Sequence, residues 1–535
     1  MDFEMVNVGL WSVFPPAFAI ALALITKEVI FSLVLGVMSG TLIYGIASHT
    51  SILGVFYTTA DLMINKVGDN GSMIVFLSLL GALVALVTRA GGSRAYGKWA
   101  SRKLKTKRSA SLVTGLLGIL IFIDDYFNCL TVGTVMKPVT DRHKISREKL
   151  AWLIDSTAAP VCVIAPISSW SASVVSYYPT ATGITGMQAF VQAIPINLYA
   201  LLTIVMVFFI SARKNGDFGP MLAAEKRAAE AESMHDADIA QNDDIAKLEA
   251  SDKGTFLDLI IPVLMLVVFC ILAMLHYGGL WDGSGKSVYD AFGDTDAGMA
   301  LSLGGLCAII VAFFMYVPRR LISFTDFFAS ITAGIKAMVP ALVILTLAWT
   351  ISGVCRDLLS TGDYVASLVR DSNMPVALIP AIMFLFACGL SFATGTSWGT
   401  FGILIPITIA VCDQVAPYLS ITSLAAVMGG SVFGDHCSPI SDSTILSSTG
   451  AGCRHIDHVA TQIPYAVTVA GSCLVGYLIA GFSIKSLGFG GMVAVSLPVS
   501  LVMMLVLLLV LPKAAARRPA PPVGLKSATR PASGF

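Results

Sequence analysis

The chain has 535 residues, of which 56% are hydrophobic and only 13% are charged, with a formal net charge of +1. Soluble globular proteins carry about 25% charged residues, so this composition excludes an ordinary soluble domain. The near-neutral charge gives no indication of a nucleic-acid partner. We therefore interpret the chain as a multi-pass membrane protein whose surroundings are membrane lipid.

Apolar runs recur along the whole chain, and each approaches the roughly 20 residues that a membrane-spanning helix needs. They cover residues 11–26, 29–47, 73–88, 189–210, 256–275, 300–317, 340–354, 463–482 and 492–511. With two further, more polar segments, they predict about 11 spans. The ten cysteines are scattered without a CxxC pair, which favours small buried hydrophobic residues over a metal site.

The positive charges indicate the orientation. Residues 89–108 contain eight Lys and Arg residues and no acid, so this basic loop is predicted to face the cytoplasm. If the other basic loops lie on the same side, residues 110–136 and about 376–411 cannot cross the membrane. We predict that each of these segments is a re-entrant hairpin, which enters and returns on one side.

The chain also repeats itself. Phe56 pairs with Phe327 at a separation of 271 residues, and "APIS" at Ala165 resembles "SPIS" at Ser438 at a separation of 273. Each half has an odd number of spans, so the second half is inverted relative to the first. The predicted boundaries are inverted repeats at 10–211 and 256–483, a cytoplasmic linker with a short exposed helix at 212–255, an extra C-terminal span at 490–512 and a disordered tail at 513–535.

The predicted fold is therefore an all-α polytopic membrane protein with two inverted-topology repeats, re-entrant hairpins and discontinuous helices. This architecture is typical of secondary transporters, whose sites lie near the membrane midplane where the repeats meet. A channel is less consistent with it, because inverted hairpin repeats serve alternating access rather than a continuous filter.

Polar residues interrupt the apolar chain at four places, the two predicted hairpin tips and the proline-broken helix that follows each hairpin. An intramembrane carboxylate costs at least about 2.5 kcal/mol to insert, so it normally faces a cavity or a partner and serves transport. The candidate ion- or substrate-binding residues at these places are Asp124, Asp125, Asn128, Thr131, Asp155, Ser156, Thr157, Thr394, Gly395, Thr396, Ser397, Asp435, His436, Ser438, Ser441 and Asp442.

These side chains suit a small hard cation. Na⁺ binds oxygen ligands, which Asp, Asn, Ser and Thr supply together with carbonyl groups freed at a helix break. A buried carboxylate can hold either Na⁺ or a proton, and this mutual exclusion is a simple basis for exchange. We expect Na⁺ to be bound by Asp125, Asn128, Asp155, Thr396 and Asp435.

Structural roles for the same residues stay open. Asp124 and Asp125 could cap a hairpin half-helix, and Asp155 could pair with a basic residue. His436 could tune the competition between Na⁺ and H⁺ or be a hydrogen-bonded structural histidine. His458, close to Arg454, is expected in a solvated cytoplasmic loop.

Two long motifs carry a family resemblance. "FIDDYFNCLTVGTVMKPVTDRHKISREKLAWLIDSTAAPVCVIAPIS" and "GDHCSPISDSTILSSTGAGCRHIDHVATQIPYA" closely resemble the NhaC-type Na⁺/H⁺ antiporter family of the ion-transporter superfamily. The resemblance implies a secondary transporter of the bacterial inner membrane. The residues at matching motif positions are Asp124, Asp125, Asn128, Asp155, Thr396, Asp435 and Asp442.

We therefore expect an antiporter that exchanges Na⁺ for H⁺ by alternating access. The alternative is a Na⁺- or H⁺-coupled carrier of a small organic anion or amino acid, for which Trp170 and Trp398 would supply aromatic contacts. An enzyme is not expected, because no nucleophile elbow surrounds Ser438. No cofactor is expected besides the ions Na⁺ and H⁺, and a homodimer is compatible with the sequence.

Overall fold

A computed structural model describes residues 4–26, 28–92, 95, 104–179, 183–214, 216–230, 251–283, 285–288, 291, 295–361, 363–364, 367, 371, 374–439 and 441–517. In these ranges the regular structure is helical and no strand occurs, which confirms the all-α class. The helices before residue 250 are α1 (Phe14–Thr26), α2 (Val29–Ala47), α3 (Ile52–Asp69), α4 (Gly71–Arg89), α5 (Lys107–Leu120), α6 (Asp125–Arg142), α7 (Arg147–Asp155), α8 (Ala159–Cys162), α9 (Ser169–Tyr177), α10 (Gly186–Ala193), α11 (Leu198–Ala212) and α12 (Gly219–Glu230).

The helices after residue 250 complete the fold. They are α13 (Leu257–Tyr277), α14 (Ala297–Tyr316), α15 (Phe324–Gly353), α16 (Ile379–Thr394), α17 (Ser397–Val415), α18 (Ser420–Cys437), α19 (Asp442–Ala451) and α20 (His455–Arg517). Within the described ranges, seven helices are long and apolar enough to span a membrane, or up to nine if two bent pairs each form one span. The count takes the 58-residue apolar part of α20 as one helix and leaves out shorter apolar helices such as Val376–Phe392, which is why it is lower than the 11 spans predicted.

The longest helical segment, α20, reverses its direction at Gly488. Gly488 has φ 67° and ψ 177°, a conformation that glycine adopts without strain. A Cβ atom placed on Gly476 would lie 2.1 Å from Ser500 Oγ, so these positions, each 12 residues from Gly488, pack against each other. The C-terminal part of α20 therefore runs back beside the part that precedes Gly488.

Helices α5 and α6 form the first hairpin. The chain leaves helical geometry between Leu120 and Asp125. At the far ends of the two helices, Lys107 Nζ donates to the Lys144 carbonyl at 3.0 Å, so the start of α5 lies beside the end of α6. The segment thus enters and leaves on one side, as a re-entrant hairpin does.

Helices α16 and α17 form the second hairpin, which turns at Gly395 with φ 67°. Both of its ends lie against one short stretch of α20. A Cβ on Gly481 would lie 1.8 Å from the Ala377 carbonyl oxygen, just before α16. Lys485 Nζ lies 5.1 Å from the ring centroid of Tyr418, just after α17.

The two hairpins enter from opposite sides. The ends of the first hairpin contact α12, because Lys107 Nζ lies 2.6 Å from Glu225 Oε2. The segment leading into α12 contacts α20 near Tyr465, whose hydroxyl donates to Asp217 Oδ1 at 2.9 Å. Tyr465 and the contact site of the second hairpin at Gly481 are about 24 Å apart along α20. This distance is most of the thickness of the hydrocarbon core of a membrane, which is about 30 Å, so the ends of the two hairpins lie at opposite sides.

Corresponding helices recur at a nearly constant separation. The starts of α5, α6, α7 and α9 are followed 272 or 273 residues later by the starts of α16, α17, α18 and α19. The pairs are Lys107 with Ile379, Asp125 with Ser397, Arg147 with Ser420, and Ser169 with Asp442. The order of hairpin, helix and broken helix is therefore the same in both halves, while the predicted boundaries of the repeats stay predictions.

The linker helix α12 is docked rather than freely exposed, which corrects the expectation for this segment. Its face of Met221, Ala224, Glu225 and Ala228 is buried. Lys149 Nζ of α7 donates to both carboxylate oxygens of Asp217, at 2.9 and 2.7 Å. The apolar face and the ion pairs together hold the segment against the C-terminal end of α6 and the N-terminal end of α7.

Candidate ion-binding site

The tip of the first hairpin is docked on the N-terminus of α9. Asp124 Oδ2 accepts a hydrogen bond from Ser169 Oγ at 3.0 Å, and Asp125 Oδ1 accepts one from Trp170 Nε1 at 2.9 Å. The Ser169 amide also donates to the Ile123 carbonyl at 2.9 Å. These three contacts fix both carboxylates at the break between α5 and α6.

Asp125 is buried, with 2% of its surface exposed. Within the described part of the chain, no Lys, Arg or His forms an ion pair with its carboxylate. Its place in the first turn of α6 is favourable for a negative charge, as the capping alternative proposed. A helix end carries only about half a charge, so capping alone does not neutralise a buried carboxylate.

Asn128 binds backbone carbonyl groups at the break between α5 and α6 in the first hairpin. Its Nδ2 lies 2.7 Å from the Gly118 carbonyl oxygen and 2.9 Å from that of Ile121, at the C-terminal end of α5. It also lies 3.0 Å from the Thr157 carbonyl oxygen. Asn128 Oδ1 is buried without a hydrogen-bond partner among the described residues, so this oxygen is available to a cation.

In the second half, a carboxylate again lies at a hairpin tip. Asp435 Oδ2 accepts from Ser397 Oγ at 2.8 Å and from the Ser397 amide at 3.3 Å, at the N-terminus of α17. Asp435 Oδ1 accepts from Ser441 Oγ, which precedes α19. The carboxylate comes here from α18 and the hydroxyl from the hairpin, whereas in the first half the hairpin supplies the carboxylates.

Aromatic side chains beside the tips of the two hairpins are in contact with each other. The Trp170 ring lies 6.1 Å from that of Trp398 and 5.7 Å from that of Phe401, measured between centroids. Trp170 binds Asp125, and Trp398 follows Ser397 directly in the sequence. Asp124 precedes Asp125 in the sequence, and Asp435 binds Ser397 beside Trp398, so the three carboxylates lie at the two tips. We call Asp124, Asp125 and Asp435 the carboxylate cluster.

Asp155 lies in a second group, the histidine cluster of Asp155, His436, His458 and Gln462. Gln462 Nε2 donates to Asp155 Oδ2 at 2.5 Å, and His458 Nε2 lies 3.5 Å from the same oxygen. His436 Nε2 lies 2.9 Å from the Asp155 carbonyl oxygen and 3.7 Å from Oδ1. Asp155 Oδ1 has no hydrogen-bond partner among the described residues.

The expectation that His458 lies in a solvated loop is wrong. His458 is fully buried in the first turns of α20, and its Nε2 lies 3.1 Å from Ser447 Oγ. Gln462, one helical turn later, donates to the His436 carbonyl at 2.7 Å. The spacing of four residues between His458 and Gln462 is the signal that places both on one helix face.

The structure thus divides the predicted Na⁺ ligands between two neighbouring clusters. His436 and Asp435 are adjacent at the end of α18, but the His436 side chain contacts Asp155 and the Asp435 side chain contacts Ser397. In the described ranges, no group of three or more His, Cys, Asp or Glu side chains could hold a metal ion. A Na⁺ ion here would therefore need hydroxyl, amide or carbonyl oxygens besides carboxylates.

The remaining predicted residues lie around these clusters. Thr157 Oγ1 donates to the Leu153 carbonyl at 2.7 Å, so this hydroxyl is used within its own helical turn. Gly395 forms the turn of the second hairpin. The side chains of Thr394 and Asp442 lie outside the described residues. The other predicted residues are buried: Thr131, Ser156, Thr396 and Ser438.

Besides His458 and Gln462, three residues that contact the predicted site were not among the candidate ligands. They are Ser169 and Trp170, which bind the first hairpin, and Tyr199, whose hydroxyl lies 3.3 Å from His436 Nδ1. Ser169 follows the Asp124 motif by 45 residues, and Tyr199 precedes His436 by 237 residues. Tertiary packing alone brings them together, so spacing within one motif could not reveal them.

The chain matches proteins of known family. A sequence model of the Na⁺/H⁺ antiporter family matches residues 161–482. A protein of Haemophilus influenzae, described as uncharacterized, is 40% identical over 511 residues, which cover 93% of this chain and 96% of that protein. The long match shows that both proteins share their organisation over nearly their full length.

Two shorter matches carry transporter names. The malate-2H⁺/Na⁺-lactate antiporter of Bacillus subtilis is 26% identical over 212 residues, 34% of this chain and 43% of that protein. A Na⁺/H⁺ antiporter of Haemophilus influenzae, described as uncharacterized, is 31% identical over 143 residues, 26% of this chain and 29% of that protein. The buried carboxylates, the hairpins and the family match all indicate a multi-pass secondary transporter, not an enzyme. The chain belongs to the Na⁺/H⁺ antiporter family.

Proposed function

We propose that the protein exchanges Na⁺ for H⁺ across the bacterial inner membrane, and that Asp125 holds the two ions in turn. The observation that carries this proposal is the buried carboxylate of Asp125 without a basic partner in the described part of the chain. Such a charge is strongly unfavourable unless a cation or a proton neutralises it. Because one carboxylate cannot hold both, Na⁺ binding displaces the proton.

The surrounding oxygen atoms support Na⁺ binding. Asn128 Oδ1 and Asp155 Oδ1 are buried without hydrogen-bond partners among the described residues. Hard cations prefer carboxylate, amide and carbonyl oxygens of this kind. We keep Asp125, Asn128, Asp155, Thr396 and Asp435 as the proposed Na⁺ ligands, with the two clusters as neighbouring positions for one ion on its way through the protein.

The arrangement of the halves supports alternating access. Each half contributes a hairpin tip to the carboxylate cluster, and the two hairpins approach it from opposite sides. A rocking movement of one half against the other would expose the same carboxylates first to one side and then to the other. The basic loop at residues 89–108 is the reason for placing the first hairpin at the cytoplasmic side.

The proposal is tested with purified protein reconstituted into liposomes that contain a pH-sensitive dye. An inward Na⁺ gradient should raise the internal pH, because Na⁺ enters as protons leave. Asp125→Asn keeps the size of the side chain but removes its charge, and it should abolish the pH change. Asp371→Asn is the matched control, because Asp371 is exposed, and it should behave as wild type.

Organic anions form a separate arm of this experiment. The same Na⁺ gradient is applied with lactate outside and malate inside, so that lactate can enter with Na⁺ and malate can leave with protons, and then without either. We expect the same internal pH change in both conditions. A pH change or Na⁺ uptake that requires an organic anion would contradict simple exchange and would establish the coupled carrier instead. Wild-type protein that leaves internal pH unchanged in every condition would also contradict the proposal.

A further inference from the structure

A cavity of about 960 Å³ lies away from the basic loop. Ser72 and Met73 at the start of α4 line it, and the other end of α4, at Arg89, reaches the basic loop about 25 Å away. Lys66 and Asp296 also line this outer cavity, so it is polar and accessible to ions. Its position places it on the outer side of the membrane.

Helix α9 connects the outer cavity with the carboxylate cluster. At its start, Ser169 donates to Asp124. At its end, Ser176 and Tyr177 line the outer cavity, where Ser176 Oγ accepts a hydrogen bond from Trp349 Nε1 at 3.0 Å. The nine residues from Ser169 to Tyr177 span about 12 Å of helix.

One face of α9 is polar over this whole length. Ser169, Ser173 and Tyr177 follow each other at intervals of four residues, the spacing that places side chains on one face of a helix. Ser173 is 3% exposed and Tyr177 is 2% exposed. Ser173 Oγ and Tyr177 OH are both buried and lie close enough to interact with each other, but neither forms a hydrogen bond of good geometry within the described ranges.

Buried hydroxyls nearly always form a hydrogen bond, so two in succession without one of good geometry are unusual. A hydroxyl oxygen is a suitable ligand for Na⁺ and a suitable partner for its water. Ions or water passing along this face would satisfy both groups.

We infer that the polar face of α9, formed by Ser169, Ser173 and Tyr177, is the route by which Na⁺ reaches Asp124 and Asp125 from the outer cavity. This inference rests on the proposed function. The hydroxyls replace part of the hydration of Na⁺ between the cavity and the carboxylates. They act on entry of the ion and leave the carboxylates themselves unchanged.

The first test measures Na⁺-driven proton movement in liposomes as a function of Na⁺ on the outer side. Ser173→Ala and Tyr177→Phe should each raise the KM for outer Na⁺ about fivefold, as expected for one lost polar contact, and leave the maximal rate within about twofold. Ser173→Thr keeps the hydroxyl and should behave as wild type. Thr203→Val is the control, because Thr203 Oγ1 on α11 is buried without a partner among the described residues.

The second test measures access directly. A membrane-impermeant cationic thiol reagent should inactivate the Ser173→Cys variant when added to the outer side only, and Na⁺ should slow the reaction. Wild type and the Thr203→Cys variant should be insensitive under the same conditions. Wild type carries ten cysteines, so it shows any background reaction.

The outcomes separate this inference from the proposed function. Wild type without exchange would contradict the proposed function. Wild type with normal exchange, together with unchanged KM values in Ser173→Ala and Tyr177→Phe, would overturn the route alone. Inactivation of the Ser173→Cys variant only from the cytoplasmic side would overturn it as well. Loss of activity in Ser173→Thr to the same extent as in Ser173→Ala would show that packing, not the hydroxyl, matters here.

Discussion

Lys149 on α7 binds the linker segment at Asp217, and its replacement gives a prediction whose size follows from the structure. Lys149 Nζ binds both carboxylate oxygens of Asp217 and lies 3.9 Å from Glu225 Oε2. The side chains are 5%, 11% and 7% exposed, respectively. The same helix, α7, ends at Asp155 in the histidine cluster, so the ion pair between Lys149 and Asp217 also positions a proposed ion ligand.

The burial of these side chains determines the magnitude. An exposed ion pair contributes about 0–1 kcal/mol, whereas removal of one partner from a buried pair destabilises by about 3–5 kcal/mol. Lys149→Met keeps the length of the side chain but leaves the Asp217 carboxylate buried without its cation. We therefore expect the free energy of unfolding to fall by about 3 kcal/mol or more.

The assay is unfolding of the purified protein in mixed micelles, followed by the fluorescence of its seven tryptophans. Asp217→Asn, added to Lys149→Met, should recover part of the loss, because no unpaired charge is then left. The two substitutions should show a coupling energy of about 2 kcal/mol. Additive effects of the two substitutions, or a loss below 1 kcal/mol for Lys149→Met, would refute the role assigned to this ion pair.

Three further predictions concern the site, the topology and the tail. Asp435→Asn removes the charge that accepts hydrogen bonds from two serines, so Na⁺-driven proton movement should fall about a hundredfold; an unchanged rate would contradict its role. A Lys105→Cys variant should be labelled only from the cytoplasm and a Lys286→Cys variant only from outside; labelling of both from one face would contradict the inverted halves. Deletion of residues 518–535 should leave transport within about twofold; a larger loss at normal expression would assign the tail a role.

The sequence was sufficient to predict both hairpins. The basic loop and the later positive charges restrict which segments can cross a membrane, and this restriction identifies residues 110–136 and 376–411 as non-crossing. The structure has α5 and α6 in the first segment and α16 and α17 in the second. The positive charges of the loops determine on which side of the membrane whole spans begin and end, so the hairpins can be predicted without knowledge of side-chain contacts.

Contacts between distant segments were not predictable in the same way. His458 follows Arg454 closely, and this neighbour indicated a loop, yet α20 begins at His455 and buries His458 against Asp155. The docking of α12 had a readable signal, because its buried residues follow the helical spacing of one apolar face. The buried hydroxyls of Ser173 and Tyr177 had no such signal, since a hydroxyl in an apolar helix gives no indication of its partners.

The central claim is that one carboxylate binds either Na⁺ or a proton. The most direct measurement is the number of protons released when Na⁺ is added to purified protein in weakly buffered detergent solution. Wild type should release about one proton for each Na⁺ bound through Asp125. Asp125→Asn should release none, and Asp371→Asn, at an exposed position, should release as many as wild type. Equal proton release by wild type and Asp125→Asn would contradict the claim that Asp125 is the shared site.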